Sequence, residues 1–277
     1  MSNYTTISVL MTAYNREKYI QEAIESVLAS SYKDFELVIV DDCSSDKTVE
    51  IAKRYEAKDI RVKVFVNEKN LGDYPNRNKA ASYGRGKYLK YLDSDDVMRK
   101  DCLEKMVSQM ELYPECAFGI SSRSLNHSII HTPENSYRVH FFERGILDIS
   151  PSGSIIRSDV FKKENGFWNL RCVSDFEFWL RIAKKHAVIE MEKDLIYWRE
   201  HDGQEINLGR KEYLEHNINI VSEKLKGSCL SEAEQNDILK RYRKATSRQI
   251  LKNFRPLHIL EAIRLFRINK LSLFDAI

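Results

Sequence analysis

The chain has 277 residues, 43% of them hydrophobic and 31% charged, with 44 Lys+Arg against 41 Asp+Glu. That composition excludes a disordered chain and suits one large domain or one and a half. The five cysteines are odd in number, widely spaced and without a CxxC pair, which argues against a disulfide framework or a zinc knuckle and for a reducing compartment.

The first hundred residues alternate in period. Residues 6–12, "TISVLMT", are apolar and β-prone, and residues 16–30 place Tyr19, Ile20, Ala23, Ile24, Val27 and Leu28 on one helical stripe. A second buried strand follows at 35–42, "FELVIVDD", then a helix over 45–55 opened by the capping residues Ser45 and Asp46. A third strand is expected at 62–67, a short helix at 74–84 and a fourth strand at 87–93, "KYLKYLD". Such alternation predicts an α/β fold with a mostly parallel sheet covered on both faces, whose ligands bind at the carboxyl ends of the strands. The polar clusters fall at those ends: Thr12 to Asn15, Asp41 and Asp42, and Asp93 to Asp96.

The last cluster is the most informative. Three carboxylates within four positions, Asp93, Asp95 and Asp96, repel one another at the end of an apolar strand, so something must offset their charge. No GxxxxGK[ST] loop occurs, and "TAYNRE" stands where a GxGxxG fingerprint would follow the first strand. A divalent cation held by carboxylates, Mn²⁺ or Mg²⁺, is therefore the expected partner of any bound phosphates.

Taken in order, "SVLMTAYN", "LVIVDDCSSDKT", "NLGDYPNRNKA" and "YLDSDD" resemble the successive motifs of the family 2 glycosyltransferases, which have the Rossmann-like GT-A fold. The resemblance continues in "SGSIIRSDVFKKENGFW", "SDFEFWLRIAKK" and "YWREH", and so covers residues 6–202. It implies a domain over 1–205, with a nucleotide-sugar half at 1–96 and an acceptor half at 97–205, and a C-terminal helical extension over 206–277.

What the resemblance implies for the site can be placed residue by residue. Thr12, Ala13 and Tyr14 would cradle the nucleotide base, and Asp42 would accept from a uracil or thymine imide, which fits a UDP-sugar or dTDP-sugar. Arg77 would approach the diphosphate, Asp93 with Ser94 would meet the ribose, and Asp95 would ligate the metal, with His201 beside it. Asp175 would be the general base. Two positions depart from the family's usual pattern: Asn76 before the Arg-Asn pair and Ser174 before the base.

The chemistry is coherent in its own terms. A leaving diphosphate needs charge neutralisation, and an attacking hydroxyl needs a proton acceptor. One base and no enzyme nucleophile predict a single displacement with inversion, the sugar passing to a glycan or polyprenyl-linked acceptor in cell-surface polysaccharide synthesis. Asp175 opens an amphipathic helix with Phe176, Trp179, Leu180 and Ala183 facing inward, a position where the helix dipole should lower its pKa. Glu177 is the nearest alternative carboxylate. Plain helix capping by Asp175 and a solvated turn at Asp93–Asp96 are the bland readings. A sugar-phosphate nucleotidyltransferase would need a glycine-rich basic loop after the first strand, and a non-catalytic nucleotide-sugar-binding protein would have no need of Asp93, Asp95 and Asp175 together.

Beyond 205 the pattern is helical, over 210–225, then after a capping box at Ser231 and Glu234, and last after Pro256 with Leu257, Leu260, Ile263 and Phe266 on one side. Residues 240–270 hold ten basic residues and one acid, a net of +9, which leaves −6 for the rest of the +3 chain. That stretch could face an anionic membrane or be a solvated basic face; no nucleic-acid motif accompanies it. The start, "MSNYTTISVL", lacks the basic region and long apolar stretch of a signal peptide, and no apolar run is long enough to span a bilayer. The expected location is cytoplasmic, with peripheral attachment at the inner face of the membrane as the alternative.

Overall fold

The computed structural model describes residues 5–201, 210–252 and 259–276. Its centre is an eight-stranded sheet in the order β3-β2-β1-β4-β8-β6-β9-β7. The strands are β1 (Ile7–Ala13), β2 (Phe35–Asp41), β3 (Val62–Val66), β4 (Tyr88–Tyr91), β6 (Cys116–Ser121), β7 (Ile129–His131), β8 (Ser154–Arg157) and β9 (Ala187–Met191). β1 pairs in parallel with both β2 and β4, and β2 with β3. β8 then enters antiparallel between β4 and β6, β6 pairs in parallel with β9, and β7 closes the edge antiparallel. The sheet is thus mixed and mostly parallel, as expected, and its parallel half is the part with the clearest strand–helix alternation.

Both faces are buried because alternate residues of each strand meet a different set of helices. Ile7, Val9 and Met11 of β1 join Ile20, Ile24 and Val27 of α1 (Ile20–Leu28) and Met106 and Met110 of α4 (Cys102–Leu112) in one core. On the other face, Leu10, Val38 and Val40 join Tyr91, Phe118 and the α7 residues Phe178 and Trp179 (α7 is Ser174–Ala183). Trp179 stacks on Phe118 with ring centroids 5.5 Å apart, and its indole N–H donates to the Ile149 carbonyl at 2.8 Å. Phe176, Trp179, Leu180 and Ala183 all face inward. The "GRGK" turn before β4 passes so close to β1 that a Cβ on Gly86 would lie 2.4 Å from the Ser8 nitrogen, so only glycine fits there.

Two elements position the site. α3 (Asp73–Tyr83) runs beneath the ends of β1 and β2. A short antiparallel ribbon, β5 (Val97–Met98) with β10 (Ile196–Tyr197), ties the chain just after the acidic cluster to the segment that carries Arg199 and His201.

The C-terminal helices α8 (Arg210–Leu225), α9 (Glu232–Lys252) and α10 (Ile259–Ile268) are built onto this sheet. Ile220, Val221 and Leu225 of α8, with Leu230 and Ile238, belong to the same core as Trp179. The capping box forms: Glu234 Oε2 accepts from the Ser231 N–H at 2.9 Å, and the Glu234 N–H reaches the Ser231 hydroxyl at 3.4 Å. The apolar stripe expected on the last helix is corrected. Leu260 and Ile263 are 82% and 44% exposed, whereas Ala262 and Leu265 are buried against Leu214 and Ile250. The reason is that Asn269 donates to the Leu214 carbonyl at 2.8 Å, which rotates the 262/265/269 face inward. Pro256 and Leu257 lie outside the described residues. Several basic side chains of the last region engage the protein itself: Arg243 with Asp275 at 3.0 Å, Arg264 with Glu215 at 3.1 Å and Arg241 with Asp237 at 3.1 Å. Among the described residues no helix is long and apolar enough to cross a membrane.

Glu177 is fully buried and bonded to Arg181 Nε and Lys224 Nζ, each at 2.8 Å, so it ties α7 to α8. Removing one partner of such a group strands the others in low dielectric. Glu177→Ala is therefore expected to lower stability by ~3–5 kcal/mol, read from urea denaturation, whereas replacement of the exposed Glu223 should change it by less than ~0.5 kcal/mol.

Candidate active site

The loops after β1 and β2 are laced to each other. Asn15 adopts a left-handed backbone, φ +52°, which lets its N–H donate to Ser44 Oγ at 2.8 Å while its Oδ1 accepts from the Ser45 N–H at 2.9 Å. This turn leaves Ala13 buried and Tyr14 47% exposed at the strand end, with Thr12 partly covered. Asp42 is buried and already employed: Oδ1 accepts from Asn67 Nδ2 and the Leu71 N–H, both at 2.8 Å, and Oδ2 from the Gly72 N–H at 2.9 Å. It thereby holds loop 67–72 over the end of β2 and keeps lone-pair capacity on Oδ2 for a further donor.

At the end of β4 the three carboxylates meet different partners. Asp93 pairs with Arg77 Nη1 at 2.7 Å, and its N–H donates to Ser152 Oγ at 2.8 Å. Burial works against its charge, but Arg77 and the hydrogen bonds from Arg77 and Ser152 hold its pKa below the usual carboxylate range. Ser94 is buried. Asp95 Oδ2 is shared by Arg16 Nε and His201 Nε2, each at 3.0 Å. Asp96 is buried and accepts the Arg199 N–H at 3.2 Å; burial and then the charges of Asp93 and Asp95 push its pKa up to about 7. Arg199 Nε also donates to the Asp95 carbonyl at 3.0 Å, and Tyr19 stacks on His201 with centroids 4.7 Å apart. Beneath the cluster, fully buried Lys90 donates to the Tyr91 and Ser152 carbonyls.

Arg77 is the pivot. It is 7% exposed and bonds both Asp73, at 2.8 Å, and Asp93. Asp175 stands within its field at the start of α7, where the Tyr74 hydroxyl and the Phe176 N–H hydrogen-bond the carboxylate. The expected lowering of its pKa is corrected: burial outweighs the helix terminus, Tyr74 and Arg77 together, and raises it to about 6. Glu177, one helical turn's register away, is occupied in its buried ion pairs and faces the C-terminal helices instead.

All the residues expected from the sequence therefore gather at the carboxyl ends of β1, β2 and β4 and the start of α7, with His201 delivered by the β5–β10 ribbon. Asp95 and His201 are the pair whose oxygen and imidazole donors fit Mn²⁺ or Mg²⁺. Among the described residues no group of three or more His, Cys, Asp or Glu side chains is placed to hold a metal by itself, so ligand oxygens would have to complete the shell. Sequence reasoning missed Arg16, Tyr74, Lys90, Ser152 and Arg199. Lys90 did carry a signal, a lone cation in the apolar run "YLKYL". The others are ordinary polar residues whose neighbours lie far off in sequence.

The Glycosyl transferase family 2 model matches residues 8–164. The chain is a family 2 glycosyltransferase. It is 33% identical over 189 residues to the putative teichuronic acid biosynthesis glycosyltransferase TuaG of Bacillus subtilis, covering 65% of this chain and 72% of that one. An uncharacterized glycosyltransferase of Methanocaldococcus jannaschii is 35% identical over 208 residues, 70% of each chain. Among solved structures, S. aureus TarS 1–349 in complex with UDP superposes with a TM-score of 0.73 at 22% identity, over 95% of this glycosyltransferase and 80% of TarS. The mannosyltransferase PcManGT from Pyrobaculum calidifontis, in complex with GDP-Man and Mn²⁺, gives 0.68 at 14% identity, over 99% and 78%. These two likenesses establish the GT-A fold of this enzyme.

Arg77→Met removes the cation between Asp73 and Asp93 and should cost ~3–5 kcal/mol of stability. A double-mutant cycle with Asp93→Asn, followed by urea denaturation, should return 1–3 kcal/mol of that as a favourable coupling, on the order found for residues of one network.

Proposed function

We propose that this enzyme transfers a sugar from a nucleoside-diphosphate sugar, a UDP-sugar in the first instance, to a hydroxyl of a glycan or lipid-linked acceptor by a single displacement with inversion, in cell-surface polysaccharide synthesis. The observation that carries the reading is Asp175, a carboxylate with a pKa near 6 standing beside the Arg77–Asp93 pair. TuaG's printed role and the UDP bound to TarS support the donor and the pathway class.

In this reading Thr12, Ala13 and Tyr14 bound the base site, and Asp42 offers its remaining lone pair to the base imide. Asp93 and Ser94 border the ribose. Arg77 directs its charge toward the diphosphate while anchored by Asp73 and Asp93. A divalent ion held by Asp95 and His201 would supply neutralisation of the leaving diphosphate when bound. Asp175 receives the proton of the acceptor hydroxyl as that oxygen attacks the anomeric carbon and the bond to the diphosphate oxygen breaks. Its raised pKa makes it a stronger proton acceptor than an exposed aspartate while leaving it ionised above pH 6. The rival nucleotidyltransferase chemistry finds no glycine-rich loop after β1, where the chain instead makes the Asn15 turn.

Asp175→Asn keeps the size of the side chain and removes the base. Transfer should fall by about 10²–10⁴-fold, with little change in donor affinity, in a chemical-step measurement beside a nucleotide titration. Because activity needs the ionised form, log kcat/KM of the wild type should rise with pH up to a break near 6 and level off above it. Near-normal turnover in the variant would remove Asp175 from the reaction.

A further inference from the structure

A partly enclosed pocket of about 140 Å³ lies beside α7, between the C-terminal helices and the π-helical turn Val139–Arg144 that continues α5 (Pro133–Arg138). It is lined by His140, Phe141, Asp148, Phe176, Tyr213 and Tyr242. Phe176 follows Asp175 directly, and the Tyr213 hydroxyl feels the charges of both Asp148 and Asp175, so the pocket adjoins the proposed base. Tyr213 and Tyr242 lie outside residues 8–164, the part matched by the family model.

The pocket contains a donor held for something outside the protein. His140 is 7% exposed, and the Leu147 N–H donates to its Nδ1 at 3.1 Å, which places the hydrogen of the neutral ring on Nε2. Nε2 is buried and has no hydrogen-bond partner among the described residues. A buried donor without an acceptor is costly, so its retention points to an acceptor that arrives with a ligand. Burial keeps this ring neutral well below physiological pH.

The remaining lining defines the ligand. Phe141 and Tyr242 meet edge to face at 6.1 Å, and His140 and Phe176 rings lie 5.6 Å apart, which gives apolar aromatic walls. Asp148 and the two tyrosine hydroxyls supply polar groups at a few points. Aromatic walls with a few directed polar groups match a pyranose, which has an apolar C–H face and a rim of hydroxyls. The volume is that of a cavity that takes one six-membered ring. The one charged lining group is the carboxylate of Asp148, which disfavours phosphate or uronate.

We propose that this pocket binds an uncharged pyranose residue of the acceptor, so that the C-terminal helices select the acceptor by way of Tyr213 and Tyr242. The assignment rests on the glycosyltransfer reading with Asp175 as base.

Saturation-transfer NMR on the full chain with UDP and Mn²⁺ tests it, with methyl β-glucopyranoside and methyl β-glucuronide as probes. The neutral glycoside should receive saturation on its ring hydrogens more strongly than the glucuronide, and Tyr213→Ala and His140→Phe should each weaken its binding about tenfold. Asp148 is exposed, so Asp148→Arg should fold normally even where the others do not, and it should invert the preference toward the glucuronide. No transfer to the neutral glycoside, or binding and preference that Tyr213→Ala and Asp148→Arg leave unchanged, would overturn the assignment. UDP titration in the same samples separates the two levels: UDP binding without glycoside contact counts against the pocket alone, and absence of UDP binding counts against the glycosyltransfer reading.

Discussion

The structure depends on balancing negative charge at the end of β4. Asp73, Asp93, Asp95 and Asp96 converge where the sheet ends, and isolated burial of even one would be prohibitive. The protein answers with fixed cations: Arg77 between Asp73 and Asp93, Arg16 on Asp95, Arg199 across the backbone of the cluster, and Lys90 below it. Asp96, the member with the least direct compensation, shows the residual strain as a pKa near 7. A site preorganised in this way has its dipoles and charges in place before a diphosphate enters, which is the condition under which electrostatics contribute most to catalysis.

Several parts of the fold follow from the need to deliver those cations. Arg77 comes from α3, which the loop held by Asp42 leads into. Arg199 and His201 come from a segment about a hundred positions downstream of the cluster, and only the β5–β10 ribbon brings them to it. Ser152 comes from the turn before β8, the antiparallel strand inserted next to β4; its hydroxyl and carbonyl fasten Asp93 and Lys90 at once. Asp175 is positioned by the opposite logic. It sits on a helix whose inward face, Phe178 and Trp179, is locked into the core, and whose buried Glu177 is bonded to α8. The catalytic carboxylate proposed here is thus mounted on a rigid element and the charge-balancing groups on loops pinned by hydrogen bonds.

The donor half was legible in the sequence because its physics is local. Buried parallel strands read as continuous apolar runs, and α1 shows a clean stripe, so β1 to β4 fell within a few residues of expectation. The strands of the second half are short and lack alternation; β7 has three residues, and its place at the sheet edge is set by partners sixty positions away. The carboxylates were found because charge at the end of an apolar strand is conspicuous. Their cations were not, since an arginine in "YNREK" or "YWREH" has no local mark of its partner. The pKa of Asp175 was misjudged for a related reason: the helix terminus is visible in sequence, whereas the burial that outweighs it is not. The same holds for the outward turn of Leu260 and Ile263, which Asn269 decides.

The central claim is a single displacement with Asp175 as base and no covalent sugar intermediate. Its most direct test is the anomeric configuration of the linkage formed, read by proton NMR from the coupling of the new anomeric hydrogen. An α-configured donor should yield a β-linked product from the first turnover onward. An α-linked product would contradict the account, since retention requires a second displacement and an enzyme nucleophile that this site does not assign.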